Sequence, residues 1–289
     1  MSKVAIMTDS NSGITPLEAK EQGICILPMP FIIDGKEYLD GEGLTHDMFY
    51  EMQIGGADIK TSQPSPASVT DMWDNLLKEY DEVVHIPMAS GLSESCSTAK
   101  MLAQDYEGKV HVADARRILV TQRHAALDAA TLAKAGKSGV EIKEYIESVC
   151  FDSCIYLAVD TMKYLKKGGR VSPAAALIGT VLNIKPVLKF VGEKIDRHAK
   201  ARGTAKARGE IIAAIKNELA TKFADCTHDK VHMDMAYSHD IDAHNEFQKE
   251  VEAAFPEFKG NIHVAPLSLS IATHTGPGVV AVTLTKKLG

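Results

Sequence analysis

Short apolar segments rich in β-branched residues alternate with helical segments through the first 160 residues. The segments "KVAIMTDS", "EVVHIPM", "KVHVADA" and "CIYLAVD" have the length and composition of buried strands. In "TPLEAKEQG", between two of the strands, Thr15 and Pro16 begin a helix, Glu18 completes a capping box and Gly23 ends the helix. The alternation predicts an α/β fold whose first domain is a mostly parallel sheet flanked by helices.

Turn signals predict two hairpins as well. Asp34-Gly35 lies within "FIIDGKEYLDG", and Gly192-Glu193 lies within "IKPVLKFVGEKID". After Asp160 the strands "VHMDMAYS", "NIHVAPL" and "GVVAVTLTK" accompany two long helices, which indicates a second α/β unit. The chain of 289 residues is long enough for two cores, so we predict two domains, 1–160 and 161–289.

Composition excludes several classes of protein. The net charge of −6 is spread along the chain, which argues against a nucleic-acid surface. No window approaches about 18 apolar residues, so we expect no transmembrane helix, and "KVAIMTDS" lacks the features of a signal peptide. Five scattered cysteines favour a reducing cytoplasm over a disulfide framework. We interpret Cys150 and Cys154 as small buried side chains rather than metal ligands.

Two turns rich in hydroxyl groups are candidates for binding an anion. "KTSQPSP" (60–66) carries Thr61 and Ser62, and "ASGLSESCSTA" (89–99) carries Ser93 between a strand and a helix. Such turns present N–H and O–H donors, but the same residues also serve as helix caps, and both interpretations stay open. In an open parallel sheet, ligands bind outside the carboxyl ends of the strands, where both turns can face one cleft.

Three basic positions stand beside glycines or helix starts. Arg170 follows two glycines in "KKGGRVSP", His274 lies in "THTGPG", and Arg202 precedes a long helix in "KARGTAK". An arginine held in a tight backbone suits a carboxylate or phosphate, whereas a surface salt bridge is the alternative. The residues alone favour a structural or solvated position for His274 and a solvated position for Arg202.

Catalytic motifs are missing from the sequence. It contains no G-x-x-x-x-G-K-[ST], no G-x-G-x-x-G after a strand, no G-x-S-x-G and no metal-spaced His/Cys set. Asp9 and Asp114 lie at strand ends, where capping of the next loop is favoured over catalysis. The alternative function is a phosphotransferase or hydrolase that uses Asp9, Arg170 and His274 on a small carboxylate or phosphate substrate.

Several motifs together resemble the DegV family over Val4 to about Val282. These are "TDSNSGI", "DGKEYLDG", "KTSQPSP", "SGLSESCSTA", "YLKKGGRVSPAAALIGTVLNIKPVL" and "THTGPG". The resemblance implies two α/β domains with a long-chain fatty acid in a tunnel between them and no cofactor. It also implies a non-enzymatic role as the lipid-carrying subunit of a fatty acid kinase. A separate ATP-binding subunit, related to dihydroxyacetone kinases, would then convert the acid to an acyl phosphate.

The resemblance assigns roles residue by residue. Thr61, Ser62 and Ser93, with Arg170 and His274, match positions around the fatty-acid carboxylate, and Arg202 matches a position for phosphoryl transfer or partner docking. The aliphatic residues after Ser172 are candidates for the tunnel wall, with ordinary core as the alternative: Ala174, Leu177, Ile178, Val181 and Leu182.

The chain also departs from the family pattern. Glu94 and Cys96 replace small and aromatic residues beside Ser93, and Thr121 and Arg123 stand where glycines are frequent. A carboxylate at position 94 would repel a bound carboxylate unless its side chain faces solvent.

Overall fold

The computed structural model describes residues 2–177 and 184–289, which divide into two compact units. Unit 1 comprises Met1–Leu44 and Asp58–Phe151, and unit 2 comprises Thr45–Ala57 and Asp152–Gly289. The predicted boundary at residue 160 differs from this division in two places. The strand "CIYLAVD" belongs to the sheet of unit 2, and an early helix, α2 (His46–Ile54), also belongs to unit 2.

Unit 1 is built on a four-stranded sheet in which every strand pair is parallel, in the order β2-β1-β6-β7. This arrangement confirms the predicted parallel sheet. Its strands are β1 (Val4–Asp9), β2 (Ile24–Leu27), β6 (Glu82–Ile86) and β7 (Val110–Val112).

Five helices of unit 1 cover the two faces of this sheet. One face packs on α5 and α6, and the other on α3 and α4, because successive side chains of β1 point to opposite faces. The helices are α1 (Pro16–Gln22), α3 (Pro66–Leu76), α4 (Ser95–Leu102), α5 (Val120–Lys134) and α6 (Gly139–Ser148).

At the two ends of α1, the structure confirms the predicted roles of Thr15, Pro16 and Gly23. Thr15 Oγ1 accepts the Glu18 N–H at 3.2 Å, Pro16 is the first helical residue, and Gly23 ends the helix with φ +71°. The carboxylate of Glu18 pairs with Arg123, so its ion pair ties α1 to α5.

A small antiparallel sheet of unit 1 contains the first predicted hairpin. Strands β3 (Pro30–Ile33) and β4 (Lys36–Leu39) pair across Asp34-Gly35, and β5 (Ile59–Thr61) joins on the other side of β3. Asp34 and Gly35 have φ angles of 48° and 85°. Two positive φ values match the tight turn that suits the twist of a hairpin, which is why Asp-Gly predicts it.

Unit 2 has a six-stranded mixed sheet in the order β10-β9-β8-β13-β11-β12, in which β11 and β12 pair in parallel and the other neighbouring strands pair antiparallel. The second predicted hairpin is present, although its loop is longer than Gly192-Glu193 alone. The strands are β8 (Ser153–Ala158), β9 (Ile184–Phe190), β10 (Asp196–Arg202), β11 (Val231–Tyr237), β12 (His263–Pro266) and β13 (Val280–Lys286).

The helices of unit 2 include the inserted α2, which packs on α11. Gln53 of α2 donates through Nε2 to the Ala272 carbonyl at 2.9 Å, a buried hydrogen bond. The other helices are α7 (Lys163–Gly168), α8 (Pro173–Ala176), α9 (Thr204–Ala220), α10 (Ile241–Ala254) and α11 (Leu269–Thr275). Within the described ranges every helix is too short or too polar to cross a lipid bilayer.

Candidate functional site

The loops that follow β1, β6 and β7 meet at the carboxyl edge of the parallel sheet. Asp9 is fully buried there and accepts hydrogen bonds from Met88 N (2.7 Å), Asn11 N (3.0 Å) and Gln122 Nε2 (3.1 Å). Burial raises the pKa of Asp9 to about 6, against the lowering effect of these donors. Asp9 therefore holds neighbouring loops together, as the capping interpretation predicts.

Asp114 has a similar role at the end of β7. Its carboxylate accepts from Ser90 Oγ at 2.5 Å and from Arg116 N at 3.0 Å. The side chain thus fixes the turn 89–99 to the loop after β7, which again agrees with capping.

The two hydroxyl-rich turns are held by different elements of unit 1. Thr61 ends β5 opposite Phe31, and the Ser62 N–H donates to the Pro30 carbonyl at 3.4 Å. Ser93 Oγ accepts the N–H of Ser95, the first residue of α4, at 3.2 Å. A hydroxyl that accepts from the helix keeps its own hydrogen to donate elsewhere, so capping and ligand binding are compatible at Ser93.

These turns adjoin each other. Thr98 Oγ1 of α4 donates to Gln63 Oε1 of "KTSQPSP" at 3.1 Å. Thr98 also lines a cavity of about 10 Å³, whose wall includes Pro64 and Ser95 together with Asp9. Such a volume holds about one water molecule. The structure thus brings the two predicted turns to one place in unit 1.

His85, a residue that the sequence analysis did not single out, lines the same cavity. It is 2% exposed, and neither ring nitrogen has a hydrogen-bond partner among the described residues. Its ring lies edge-on to Trp73, with centroids 5.7 Å apart. Burial lowers the pKa of His85 to about 3. The signal in the sequence was a histidine among the apolar residues that follow Glu82 in the strand "EVVHIPM".

Arg170 and His274 come together within unit 2. Helix α7 ends at Gly168, Gly169 takes φ +68°, and the Arg170 guanidinium donates back to the Gly168 carbonyl. His274 lies in the last turn of α11. Burial, and then the charge of Arg170, lower the pKa of His274 to about 4. The imidazole is therefore neutral near pH 7 and carries one N–H donor.

The stretch "THTGPG", singled out from the sequence for a histidine flanked by hydroxyls and two glycines, is partly helical. Helix α11 continues to Thr275 and begins at a cap in which Ser268 Oγ accepts the Ile271 N–H at 3.3 Å. Gly276, Pro277 and Gly278 follow the helix, and the two glycines have φ angles of +76° and +79°.

Arg202 is exposed at the end of β10, an edge strand of the unit 2 sheet. Two other basic residues of this strand, Arg197 and Lys200, are exposed as well. Charged side chains on an edge strand oppose unwanted strand pairing, and they also make a basic surface.

Two of the residues predicted to line the tunnel are exposed. Ala174 is exposed and Leu177 is 83% exposed, so neither contributes to a buried surface in this conformation. The predicted wall residues Ile178, Val181 and Leu182 lie outside the described residues.

Glu94 is exposed, and its Oε2 accepts a hydrogen bond from Ser97 Oγ at 2.8 Å, which holds its carboxylate at the surface.

The last features to consider are disulfide bonds and metal binding by cysteine, histidine and acidic side chains. All five cysteines are free. In residues 2–177 and 184–289, no three His, Cys, Asp or Glu side chains are grouped so as to hold a metal ion.

Comparison with known proteins gives the family. The model described as "Uncharacterised protein, DegV family" matches residues 3–287. The chain belongs to the DegV family. A DegV domain-containing protein of Caldanaerobacter subterraneus is 31% identical over 294 residues, which cover 99% of this chain and 100% of the relative. The resemblance seen in the motifs is thereby confirmed.

Solved structures of family members have the same fold. One from Thermus thermophilus, described as showing fatty acid binding of a DegV family protein, has a TM-score of 0.87 at 29% identity and covers 99% of this chain and 100% of its own. A fatty acid binding DegV family protein from Streptococcus agalactiae has a TM-score of 0.87 at 27% identity, with 100% of both chains covered. DegV from Bacillus subtilis, a fatty acid binding protein, has a TM-score of 0.82 at 26% identity and covers 99% of this chain and 100% of its own.

A glycine sets the position of His274 in this family member. A Cβ at Gly168 would overlap Nδ1 of His274. We expect Gly168→Ala to lower the free energy of unfolding by about 1–3 kcal/mol, because the added methyl and the imidazole cannot occupy the same space and one of them must shift. Gly209→Ala in α9 meets nothing within 4 Å and should raise it by about 0.4–1 kcal/mol. Urea unfolding of both variants checks the contrast, and equal effects would remove the argument for close packing at Gly168.

Proposed function

We propose that this chain binds a long-chain fatty acid and presents its carboxylate to a separate ATP-dependent kinase subunit. Thr61, Ser62 and Ser93 of unit 1, with Arg170 and His274 of unit 2, would hold the carboxylate. The proposal requires both sets to engage one ligand. The interdomain tunnel that the family resemblance implies stays a prediction.

The observation that carries the proposal is the meeting of the two hydroxyl-rich turns in unit 1. The Thr98–Gln63 bond joins them at the carboxyl edge of the parallel sheet, where ligands of such sheets bind. The similar structures from Thermus thermophilus, Streptococcus agalactiae and Bacillus subtilis are described as fatty acid binding proteins, which supports a fatty acid as the ligand.

The pair in unit 2 suits the same ligand. A guanidinium has five N–H donors, so the bond from Arg170 to the Gly168 carbonyl leaves several for a carboxylate. His274, neutral near pH 7, adds a donor without adding a second positive charge. Because hydrogen bonds to a charged partner contribute about 1.5–3 kcal/mol each, these groups favour the ionised acid.

The acyl tail supplies most of the affinity in this proposal. Burial of one methylene contributes about 0.8 kcal/mol, so a tail of roughly fourteen would contribute ~11 kcal/mol before ordering and association costs. The head group then sets orientation, since a buried carboxylate without donors costs several kcal/mol. Tail length therefore governs affinity, and the polar residues govern which end is presented.

The kinase step would be carried out by a partner. Acyl-phosphate formation needs a phosphoryl donor, and the sequence has no phosphate-binding loop of its own. The exposed basic edge strand with Arg197, Lys200 and Arg202 offers a surface that an acidic patch of the kinase subunit could contact. The cytoplasm is the location that we propose for this reaction, in keeping with five free cysteines.

Mass spectrometry under native conditions tests lipid binding directly. We expect protein purified without added lipid to carry an acid of about C14–C18 mass, or to take up added oleate at one per chain. Protein with no bound acid that also takes up no oleate would contradict the proposal.

Arg170→Ala tests the head-group assignment. We expect the variant to lose at least tenfold in oleate affinity or in acyl-phosphate formation with the kinase subunit, because a charged donor is lost. Arg197→Ala, which removes an exposed arginine that is not assigned to the head group, serves as the control for oleate affinity. Wild-type values for Arg170→Ala in both assays would show that this assignment is wrong.

A further inference from the structure

A second cavity, unrelated to the proposed head-group residues, lies wholly within unit 2. Its volume is about 160 Å³, against about 10 Å³ for the cavity that Thr98 lines. It is bounded by the ends of β8 and β13 and by the first turns of α9 and α10. Six residues that matter for its chemistry are Asp160, Lys185, Thr204, Arg208, Asp240 and Ala243.

Helices α9 and α10 differ in whether a side chain accepts a hydrogen bond from the N–H groups of the first turn. At α10, Asp240 Oδ1 accepts the Ala243 N–H at 2.8 Å, so the side chain caps its own helix. At α9, the N-cap residue is Gly203, which has no side chain to accept from the first turn. The first N–H groups of a helix have no partner within the helix, so α9 presents unsatisfied donors and the positive end of its dipole.

Arg208 gives an independent indication of a ligand. It lines the cavity and is only 7% exposed. One terminal nitrogen donates to Glu250 Oε1 at 3.1 Å, and the other donates to the Ala243 carbonyl at 2.7 Å. Its buried Nε has no hydrogen-bond partner among the residues that the structure describes. The charge of Arg208 is offset by Glu250 and by Glu246, whose Oε2 lies 3.5 Å from Nη1. The unmade hydrogen bond at the buried Nε is nevertheless costly, which favours an acceptor beside it.

The remaining polar groups give a surplus of donors. Lys185 Nζ donates to Asp160 Oδ1 at 2.6 Å. This hydrogen bond uses one of the three N–H donors of Lys185 and pairs the Asp160 carboxylate with a positive charge. Thr204 adds a hydroxyl. The two acidic groups are thus already engaged, by Lys185 and by the α10 backbone, whereas donors of Lys185, Thr204, Arg208 and α9 are left for a ligand.

We propose that this cavity is a binding site for a small anion, namely a phosphate or carboxylate group, held by Lys185, Thr204, Arg208 and the N-terminus of α9. Anions bind at helix N-termini because backbone N–H groups and the dipole act together. The volume admits such a group with little more than its immediate substituents, so a long acyl chain is excluded from this site.

Titration calorimetry of the full chain tests the site, with inorganic phosphate and acetate as separate probes at constant ionic strength set by chloride. We expect saturable binding of at least one probe. Lys185→Met and Thr204→Val should each weaken it about tenfold, and the probe that binds more tightly distinguishes phosphate from carboxylate chemistry. Lys189→Met, on the same strand but outside the cavity, should leave the affinity unchanged.

Two further measurements separate this site from the fatty-acid proposal. Arg170→Ala should bind the probe as wild type does, and Lys185→Met should retain oleate. No heat above the chloride background for either probe would overturn the site. So would probe binding that Arg170→Ala abolishes while both Lys185→Met and Thr204→Val leave it intact.

Discussion

Replacing Thr61 by valine and Ser93 by alanine is expected to weaken oleate binding by a factor of about one hundred or more. Each hydroxyl would donate to a charged oxygen, and two such hydrogen bonds contribute about 3–6 kcal/mol together. A tenfold change in affinity corresponds to about 1.4 kcal/mol. The apolar tail would still be buried, so residual binding should persist with the carboxylate poorly oriented.

The double variant must be compared with hydroxyl losses elsewhere. Thr70→Val and Ser97→Ala remove hydroxyls whose bonds are local, to Pro66 and Ala67 carbonyls in one case and to Glu94 in the other. Fluorescence titration with a labelled fatty acid and urea unfolding should show wild-type affinity for this control. Because Ser93 also accepts the Ser95 N–H, the test variant should lose about 0.5–2 kcal/mol of stability. Unchanged oleate affinity in Thr61→Val/Ser93→Ala would remove both hydroxyls from the head-group site.

The second large effect concerns the stability of the protein in acid. His85 has a pKa of about 3 in the folded chain and about 6.5 when unfolded, so between these values only the unfolded state takes up the proton. Its contribution to stability is complete above pH 6.5 and is lost as the pH falls toward 3. We expect His85→Leu to remove this loss. The free energy of unfolding of the variant, relative to that of wild type, should therefore increase by on the order of 2 kcal/mol between pH 7.5 and pH 5.

Unfolding free energies of wild type and His85→Leu at the two pH values measure this difference. His274, with a pKa lowered to about 4, acts in the same direction and remains in both proteins. Asp9, with a pKa raised to about 6, acts in the opposite direction between about 4 and 6 and is also common to both. A stability difference that is equal at pH 7.5 and pH 5 would show that His85 is protonated alike in the folded and unfolded chain.

The parallel sheet and the first hairpin could be predicted because their signals are local. Alternation of buried strands with helices requires crossover connections, and Asp34-Gly35 supplies the positive φ angles of a tight turn. The sheet to which "CIYLAVD" belongs could not be predicted, since an apolar strand suits either sheet. Its partners, β9 and β13, are chosen by pairing with distant segments.

The candidate site divides in the same way. Hydroxyl-rich turns beside strands and helices identified Thr61 and Ser93, and glycines beside a basic residue identified Arg170. The bond between Thr98 and Gln63 depends on how α4 lies against the turn 60–66, which no local pattern encodes. No helix was predicted at α11, although Ser268 ahead of Leu269 and Ile271 is a recognisable helix start.

The membership of α2 in unit 2 has a consequence for synthesis of the chain. This helix leaves the ribosome well before Ala272, whose carbonyl accepts from Gln53 across 219 residues of sequence. Until then the apolar side of α2 lacks the residues against which it packs in the folded protein. A fragment that starts at Asp152 would lack this helix altogether, so limited proteolysis or truncation near residue 151 should yield an incomplete second half rather than an autonomous module.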